Sequence, residues 1–331
     1  MPIWLKRALR GLLAIIIILP LAGALYQAIA TEMDKRSYPP PGQMVDVGGY
    51  RLHLYCVGEN VEGSSTVILE HGLGATSAAW ARVQPQISQT TRVCAYDRAG
   101  MGWSDPGPKP RDAEHIVTEL HSLLQNADIP GPYVLVGWSF GGLYMRMYAG
   151  KYSTEVSGIV LLDSSHHDQW TSTAAGKAQY ESNAGIYRIA PWLARMGVMR
   201  VMGLFQSDPG LPAHQNDVHK AFFAATKDWD AQSAEFLASP ATNDQVRNLG
   251  SLDDLPLFVL TATEHGTPPE QEQLLQGWQN ELASLSTNSV HQIVTGANHA
   301  SFWLDPETVK VSVEAVLQVV ETARTGEPLK P

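Results

Sequence analysis

The apolar positions of this chain change period repeatedly along its length. Short apolar runs typical of buried strands lie at residues 67–69, 93–96, 133–136, 158–162, 256–262 and 290–294. Apolar residues at the spacing of a helix face occupy residues 116–124 and 309–320. Strands that alternate with helices predict an α/β fold, with a mostly parallel central sheet and helices on both faces. We expect functional groups at the open end of that sheet.

Turn and cap signals set the ends of three predicted elements. Residues 44–57 alternate apolar and polar side chains around Gly48-Gly49, which predicts a β-hairpin. Asp112 and Asp305 each precede a helix pattern, so their side chains are predicted to cap the first turns.

Residues 164–252 break the alternation, because they contain long helix-like segments and no convincing strand. We interpret them as a helical cap inserted into a core formed by residues 37–163 and 253–331. The cap is rich in large apolar side chains, which are Trp170, Trp192, Met196, Met199, Met202, Phe205, Phe222, Phe223, Trp229 and Phe236. Most are expected to build the cap's own core, and the others to line an apolar pocket.

Residues 1–36 are interpreted as a membrane anchor. Residues 11–31 carry no charge and are rich in Leu, Ile and Ala, and a membrane-spanning helix needs about 20 apolar residues. Lys6, Arg7 and Arg10 precede this stretch. Because positive residues beside a span stay cytoplasmic, the rest of the chain is expected on the extracytoplasmic side.

Two other interpretations of the N-terminal segment stay open. Ala28-Ile29-Ala30 resembles a signal-peptide cleavage site, and cleavage would release an exported protein. A buried soluble helix is disfavoured by the run of isoleucines that begins at Ile15. Length favours the anchor, since a signal-peptide core typically has about 7–15 apolar residues.

Composition and charge argue against one class of partner. The chain has 331 residues, of which 44% are hydrophobic, and a formal net charge of −10. A chain of this size can bury one large core with an inserted subdomain. Its negative charge is spread without a basic patch, which argues against a nucleic acid partner.

A G-x-S-x-G motif follows the apolar run at residues 133–136 and precedes a helix pattern. It consists of Gly137, Trp138, Ser139, Phe140 and Gly141. A serine on a sharp strand-to-helix turn has an exposed hydroxyl, and the flanking glycines let strand and helix approach each other. The serine is therefore the candidate nucleophile, which requires a general base, a group that orients the base, and donors for an oxyanion.

His299 is the candidate base among eleven histidines. It lies just past the predicted strand at residues 290–294 and before the last helix. It also follows Ser139 late in the chain, as the order of nucleophile, acid and histidine requires.

These motifs resemble those of the α/β-hydrolase fold family, from about residue 43 to the end of the chain. Residues 71–74 are similar to the family's H-G-x-G loop, and residues 97–104 are similar to its D-x-R-G-x-G-x-S turn, which we interpret as structural. The resemblance implies that the backbone N–H groups of Leu73 and Phe140 form the oxyanion hole.

The acid departs from the commonest family pattern. Many members carry an aspartate after the strand that corresponds to residues 256–262, but here Glu264 is the only carboxylate in that turn, and His265 stands at the expected position. The strand at residues 158–162 is followed by Asp163, where some members carry their acid. We favour Asp163, with Glu264 as the alternative.

Cys56 and Cys94 are the only cysteines, and each lies in a predicted strand. In the resembled fold these strands can be neighbours, and an extracytoplasmic location would permit a disulfide. We favour buried free thiols, since a cross-strand disulfide has demanding geometry.

Two patterns that suggest a metal or a cofactor are weak. His166-His167-Asp168 lacks a further spaced ligand, so we expect no metal and interpret these residues as the polar entrance to the cap. Gly72 and Gly74 imitate a dinucleotide fingerprint, but the third glycine is missing. We therefore expect no cofactor.

The residues together predict a serine hydrolase that cleaves a small carboxylic ester, or less favourably a thioester or amide, with an apolar moiety. Ser139, His299 and Asp163 would form its catalytic triad. A serine nucleophile excludes the carboxylate mechanism of dehalogenases and epoxide hydrolases of the same fold. A membrane-tethered binding protein that kept the pocket without a working acid stays open as the alternative.

Overall fold

An eight-stranded sheet with the order β1-β2-β4-β3-β5-β6-β7-β8 forms the centre of the molecule. The structure is a computed structural model that describes residues 2–203 and 210–330. The strands are β1 Gln43–Asp46, β2 Arg51–Val57, β3 Thr66–Glu70, β4 Val93–Tyr96, β5 Tyr133–Trp138, β6 Val156–Leu162, β7 Leu257–Ala262 and β8 Ser289–Val294. Pairing is antiparallel between β1, β2 and β4, and parallel across the rest of the sheet. The predicted mostly parallel sheet is confirmed.

Helices cover both faces of this sheet, as the sequence predicts. The α-helices are α1 Ile3–Ser37, α2 Gln84–Ile87, α3 Ala113–Asn126, α4 Phe140–Lys151, α5 Ala174–Arg195, α6 Val198–Met202, α7 Ala213–Phe223, α8 Thr226–Arg247, α9 Pro269–Ala283, α10 Ser301–Leu304 and α11 Pro306–Thr325. Successive residues of a strand point to opposite faces, so Ile68 of β3 packs with the apolar sides of α3 and α4. Its neighbours Val67 and Leu69 pack with that of α11.

The hairpin and the two predicted helix caps are present. β1 and β2 are joined by Gly48 and Gly49, whose φ angles of 120° and 99° suit glycine. Asp112 and Asp305 accept backbone N–H groups from the first turns of α3 and α11, at 3.1 and 2.8 Å.

The prediction of free thiols is wrong, because Cys56 and Cys94 form a disulfide. Antiparallel pairing of β2 with β4 sets the two residues directly opposite each other. Their Cα atoms are only 4.0 Å apart, so the bond joins side chains that the register has already brought together.

Helices α5 to α8 lie between β6 and β7, where the sequence predicts the inserted cap. α5 packs along α8, and α8 also contacts α3 and α4 of the core. Trp229 and Phe236 are buried, as expected of a cap core, whereas Trp192 and Met202 are exposed. Phe205 lies outside the described residues.

α1 is the one helix in the described chain that is long and apolar enough to cross a membrane. Its apolar stretch is almost wholly exposed. The C-terminal half of α1 nevertheless contacts the cap, where the buried Gln27 amide donates to the Ala224 carbonyl over 2.7 Å.

Candidate active site

Ser139 occupies the turn between β5, which ends at Trp138, and α4, which begins at Phe140. Its φ of 56° and ψ of −125° lie in a region that residues with a side chain rarely adopt. Such a backbone costs on the order of 1–3 kcal/mol and persists only where the surrounding structure holds it. Neighbouring β3 and β6 pair with β5 on its two sides and fix the end of the strand.

The two glycines of the motif allow this turn to form. A Cβ on Gly141 would lie 2.5 Å from the Glu70 carbonyl oxygen at the end of β3. A Cβ on Gly137 would lie 2.7 Å from the Gly141 backbone. Because real side chains do not tolerate such distances, glycine is required for strand and helix to pack this closely.

The structure brings Asp163 and His299 together from β6 and from the loop after β8. Asp163 Oδ2 lies 2.6 Å from His299 Nδ1, and the Ala262 backbone N–H donates to Asp163 Oδ1 over 3.1 Å. The carboxylate is buried, whereas the imidazole is 44% exposed. The Trp138 indole donates to the His299 carbonyl over 2.7 Å and so helps hold the histidine loop against β5.

His265 is a second histidine on the same carboxylate, a contact that sequence reasoning missed. Its Nε2 lies 3.0 Å from Asp163 Oδ2, and its Nδ1 lies 3.0 Å from both oxygens of Glu272. The hydrogen bond to Asp163 raises the pKa of His265 to about 9, although partial burial opposes this. Burial would raise the pKa of Asp163, but the hydrogen bonds from His265 and His299 lower it well below its ordinary value.

Glu264, the alternative acid, lies one residue before His265 and has an exposed side chain. Its backbone N–H donates to the Ala297 carbonyl over 2.9 Å, which anchors the turn after β7. Asp163, and not Glu264, is therefore the carboxylate that the structure places on His299.

Leu73 and Phe140, the two predicted oxyanion donors, line one pocket with Ser139 and His299. Phe140 is the first residue of α4, and the first N–H groups of a helix have no partner within it. These N–H groups point out of the N-terminal end of the helix, where the helix dipole stabilises an anion.

Arg98 supports the loop that carries Leu73. This fully buried guanidinium donates to the carbonyls of His71 and Gly72 over 2.7 and 3.1 Å, and it pairs with the buried carboxylates of Glu70 and Glu235. It thereby ties together the turn after β4, the loop after β3 and cap helix α8. The interpretation of residues 97–104 as structural agrees with this arrangement.

A pocket of about 420 Å³ contains the serine, both histidines and Asp163. Aromatic side chains of the cap form part of its wall, namely Trp170, Tyr187 and Phe236. Amide side chains lie beside them, namely Gln169, Asn183, Gln271 and Gln279. The pocket wall is thus aromatic on the cap side. Because of the amide side chains it is more polar than the apolar pocket that the composition of the cap predicts.

His166, His167 and Asp168 have ligand atoms within 4.8 Å of one another. Asp168 is bound by the Arg247 guanidinium over 2.7 Å. Burial and then nearby positive charge, including that of Arg146, lower the pKa of both histidines. Positive charge on two sides opposes a bound cation, so this donor set fits a metal poorly.

A mostly parallel sheet that passes into a helix through a strained serine is the architecture of α/β hydrolases. The sequence profile of the alpha/beta hydrolase fold matches residues 65–306, and the chain therefore belongs to that family. A thermophilic esterase from Thermogutta terrifontis superposes with a TM-score of 0.61 at 19% identity, over 86% of this chain and 99% of the esterase. At that identity the likeness shows the fold.

Two curated relatives have no assigned activity. An uncharacterized protein of Schizosaccharomyces pombe is 28% identical over 300 residues, which are 81% of this chain and 54% of that protein. An uncharacterized vacuolar membrane protein of Saccharomyces cerevisiae is 31% identical over 134 residues, which are 36% of this chain and 21% of that protein. The chain thus spans about half of the first relative and a fifth of the second.

Proposed function

We propose that the protein is a serine hydrolase that cleaves a carboxylic ester through an acyl-enzyme. One observation carries the proposal: Ser139, Asp163 and His299 line a single pocket, and the Asp163 carboxylate is 2.6 Å from His299 Nδ1. With Nδ1 held by the carboxylate, Nε2 is the nitrogen that can accept a proton from serine.

Each proton in the proposed reaction passes through His299. Ser139 Oγ attacks the carbonyl carbon of the ester while its proton moves to Nε2, and the oxyanion accepts hydrogen bonds from the Leu73 and Phe140 amides. The imidazolium then gives that proton to the oxygen of the leaving alcohol. Water attacks the acyl carbon by the same path, which releases the acid and returns the proton to Ser139.

The composition of the pocket suggests the substrate class. Aromatic rings of Trp170, Tyr187 and Phe236 suit an apolar acyl or alcohol group, and the volume of about 420 Å³ suits a small one. Amide side chains in the same wall can hold a polar part of the substrate. A thioester or amide with an apolar moiety would use the same residues with a different leaving atom.

Two measurements test the hydrolase against the alternative of a binding protein. A panel of esters, thioesters and amides is incubated with the wild type and with Ser139→Ala, and both are treated with a fluorophosphonate probe. We expect ester turnover and covalent labelling of the wild type alone. A folded wild type that is neither active nor labelled would overturn the hydrolase and favour the binding protein.

We further propose that α1 anchors the protein in a membrane, with the catalytic domain on the extracytoplasmic side. The length and apolar surface of α1 support the anchor, and Lys6, Arg7 and Arg10 before it support the orientation. The Cys56–Cys94 disulfide agrees with an oxidising compartment. One relative is named a vacuolar membrane protein, which also agrees with a membrane location.

Contacts between α1 and the cap favour a retained anchor over a cleaved signal. Cleavage near Ala30 would remove the buried Gln27 from its bond to the Ala224 carbonyl. The intact mass of protein extracted from membranes decides between the two. We expect a mass that includes residues 1–30, and a product that begins near residue 31 would establish cleavage.

A further inference from the structure

The cap presents an exposed apolar face that the active site does not use. We call the side chains of Ile186, Ile189, Trp192, Val201 and Met202 the apolar face; they are 57–74% exposed. The first three recur at every third residue of α5, so they lie on one side of that helix. Because removing large apolar side chains from water stabilises a protein, five exposed ones together suggest an apolar surrounding.

α1 lies directly beside this face. A Cβ on Gly23 would lie 2.1 Å from the Met196 carbonyl oxygen, in the turn between α5 and α6. A Cβ on Gly197 in the same turn would lie 3.0 Å from the Gly23 carbonyl oxygen. Because Gly23 belongs to the uncharged stretch at residues 11–31, a bilayer that surrounds this stretch would also surround the turn.

Polar contacts hold the cap against the C-terminal half of α1. Asp34 near the end of α1 pairs with Arg200 of α6 over 2.7 Å, and Arg200 also donates to the Gln27 side chain over 3.1 Å. From Gly23 to Asp34 the helix rises about 16 Å, at about 1.5 Å per residue. The cap therefore flanks the outer part of the proposed span and the first charged turns beyond it.

One ring of the apolar face lies beside a charged pair. The Arg195 guanidinium is 5.3 Å from the centre of the Trp192 ring and donates to both carboxylate oxygens of Asp230, over 2.8 and 2.7 Å. Tryptophan and arginine are enriched where a protein crosses from lipid tails to headgroups, since each has an apolar body and a polar end.

α5 connects this face with the pocket. Asn183 and Tyr187 line the pocket, while Ile186 and Ile189 of the same helix face away from the protein. A surface that binds the outer side of α5 thus lies one helix thickness, about 10 Å, from the pocket.

We propose that the apolar face lies within the bilayer that α1 spans, and that the pocket takes esters supplied from this membrane. The location of the face depends on the anchor alone, whereas the substrate class rests on the proposed hydrolase. Continuity between the exposed surface of α1 and the apolar face favours a lipid surface over a second protein.

A fluorescence experiment tests the location without requiring activity. Both native cysteines are in the disulfide, so without reductant a dye reacts only with a cysteine that is introduced. The full chain with Ile189→Cys is labelled with an environment-sensitive dye and reconstituted in phosphatidylcholine vesicles. Ile293→Cys is the matched control, because Ile293 is an exposed isoleucine on β8 of the core. We expect lipid-attached nitroxides to quench the dye at position 189 and not at 293.

Equal, weak quenching at both positions would overturn the proposal. So would a dye at position 189 that is shielded from aqueous iodide but not quenched by the lipid nitroxide, since that result indicates a second copy or another protein on the face. Quenching at 189 by the nitroxide supports the proposed location even if no ester is turned over.

A second experiment tests the substrate source. The variant Ile186→Ser/Ile189→Ser/Trp192→Ser removes only exposed side chains, and its fold is checked by circular dichroism. On an ester that has a short acyl chain and is embedded in vesicles through its lipid alcohol, we expect a loss of kcat/KM of about tenfold or more. On a water-soluble ester with the same acyl chain we expect a change below about twofold. Ile293→Ser should change neither. Equal effects on both esters would overturn membrane supply, and no turnover of either by the wild type would instead refute the hydrolase.

Discussion

At the residue scale, the proposed catalytic role of Asp163 depends on its bond to His299 Nδ1 at 2.6 Å. Asp163→Asn would keep the shape of this side chain but remove its charge and disturb the imidazole tautomer. We expect kcat to fall by about 10³–10⁴, with little change in KM, because the lost interaction forms mainly in the transition state. Steady-state kinetics on a soluble ester would measure both constants.

Glu264→Gln is the control for that change, because Glu264 is exposed and lies in the turn where family members often carry the acid. We expect its kcat to stay within about twofold of the wild type. A loss of turnover in Glu264→Gln alone would assign the acid to Glu264.

His265 makes part of the folding stability depend on pH. Its pKa is raised to about 9 from 6.5, chiefly by the hydrogen bond to Asp163. Protonation therefore favours the folded state, and this stabilisation is complete below 6.5 and disappears as the pH rises through about 9. We expect the difference in free energy of unfolding between the wild type and His265→Gln to decline as the pH rises through this interval. Urea denaturation at a series of pH values would measure it.

His291→Gln is a suitable control for the stability measurement. Burial lowers the pKa of His291, so this side chain loses its proton at a lower pH in the folded protein than in the unfolded chain. Its difference from the wild type should therefore not decline as the pH rises. If the difference for His265→Gln does not decline either, the pair with Asp163 does not hold a proton.

The charge on His265 also bears on the base. A protonated His265 and His299 share one buried carboxylate, so each weakens the support that Asp163 gives to the other.

At this scale the sequence predicts the side chains whose positions follow from local motifs. Ser139 follows from a five-residue pattern, and His299 from its order in the chain. The His265–Asp163 contact spans 102 residues and depends on β6 and β7 being neighbours in the sheet. Such a contact has no local signature, although a histidine at the usual position of the acid was a signal that this turn differs.

At the element scale, the approach of α4 to β3 can be tested through one glycine. Alanine at Gly141 would place its Cβ 2.5 Å from the Glu70 carbonyl oxygen. We expect Gly141→Ala to lower the free energy of unfolding by about 1–3 kcal/mol and to reduce kcat, because strand and helix must separate. Urea denaturation and ester turnover would measure the two effects.

Gly185→Ala provides the matched control within a helix. Gly185 lies in α5, and a Cβ there would have no neighbour within 4 Å. Since alanine is a better helix former than glycine, the variant should be more stable by up to about 1 kcal/mol. If both substitutions stabilise the protein, close packing is not the reason for glycine at position 141.

Secondary-structure elements were predictable where the spacing of apolar residues coincides with a turn or cap signal. Examples are the hairpin around Gly48-Gly49 and the helices that begin after Asp112 and Asp305. The disulfide was not, because its formation depends on register. Cys56 and Cys94 face each other only because β2 pairs antiparallel with β4, and a shift by one residue would turn one side chain to the other face.

At the scale of the whole molecule, alternating strands and helices were sufficient to predict the sheet, but not how α1 packs on the cap. That packing depends on backbone contact at Gly23 and on polar pairs such as Asp34 with Arg200. Neither produces a periodic pattern in the sequence. The exposure of Trp192 was likewise unexpected, because an apolar residue in a cap is ordinarily assigned to its core.

The proposed orientation in the membrane makes the redox state of the cysteines a reporter of topology. If the catalytic domain is extracytoplasmic, Cys56 and Cys94 meet an oxidising compartment, whereas a domain held in the cytoplasm would meet reducing thiols. Replacing Lys6, Arg7 and Arg10 by glutamate removes the positive charge that holds the N-terminus inside, and some chains should then insert in the opposite orientation.

We expect alkylation of denatured protein from intact cells to modify neither cysteine in the wild type and both in a fraction of the charge-reversed variant. Mass spectrometry of the peptides that contain the two residues would measure that fraction. Alanine at the same three positions, which removes charge without reversing it, should give an intermediate value. Two alkylated cysteines in most wild-type molecules would contradict the proposed side of the membrane, because the register of β2 and β4 favours the bond wherever an oxidant is present.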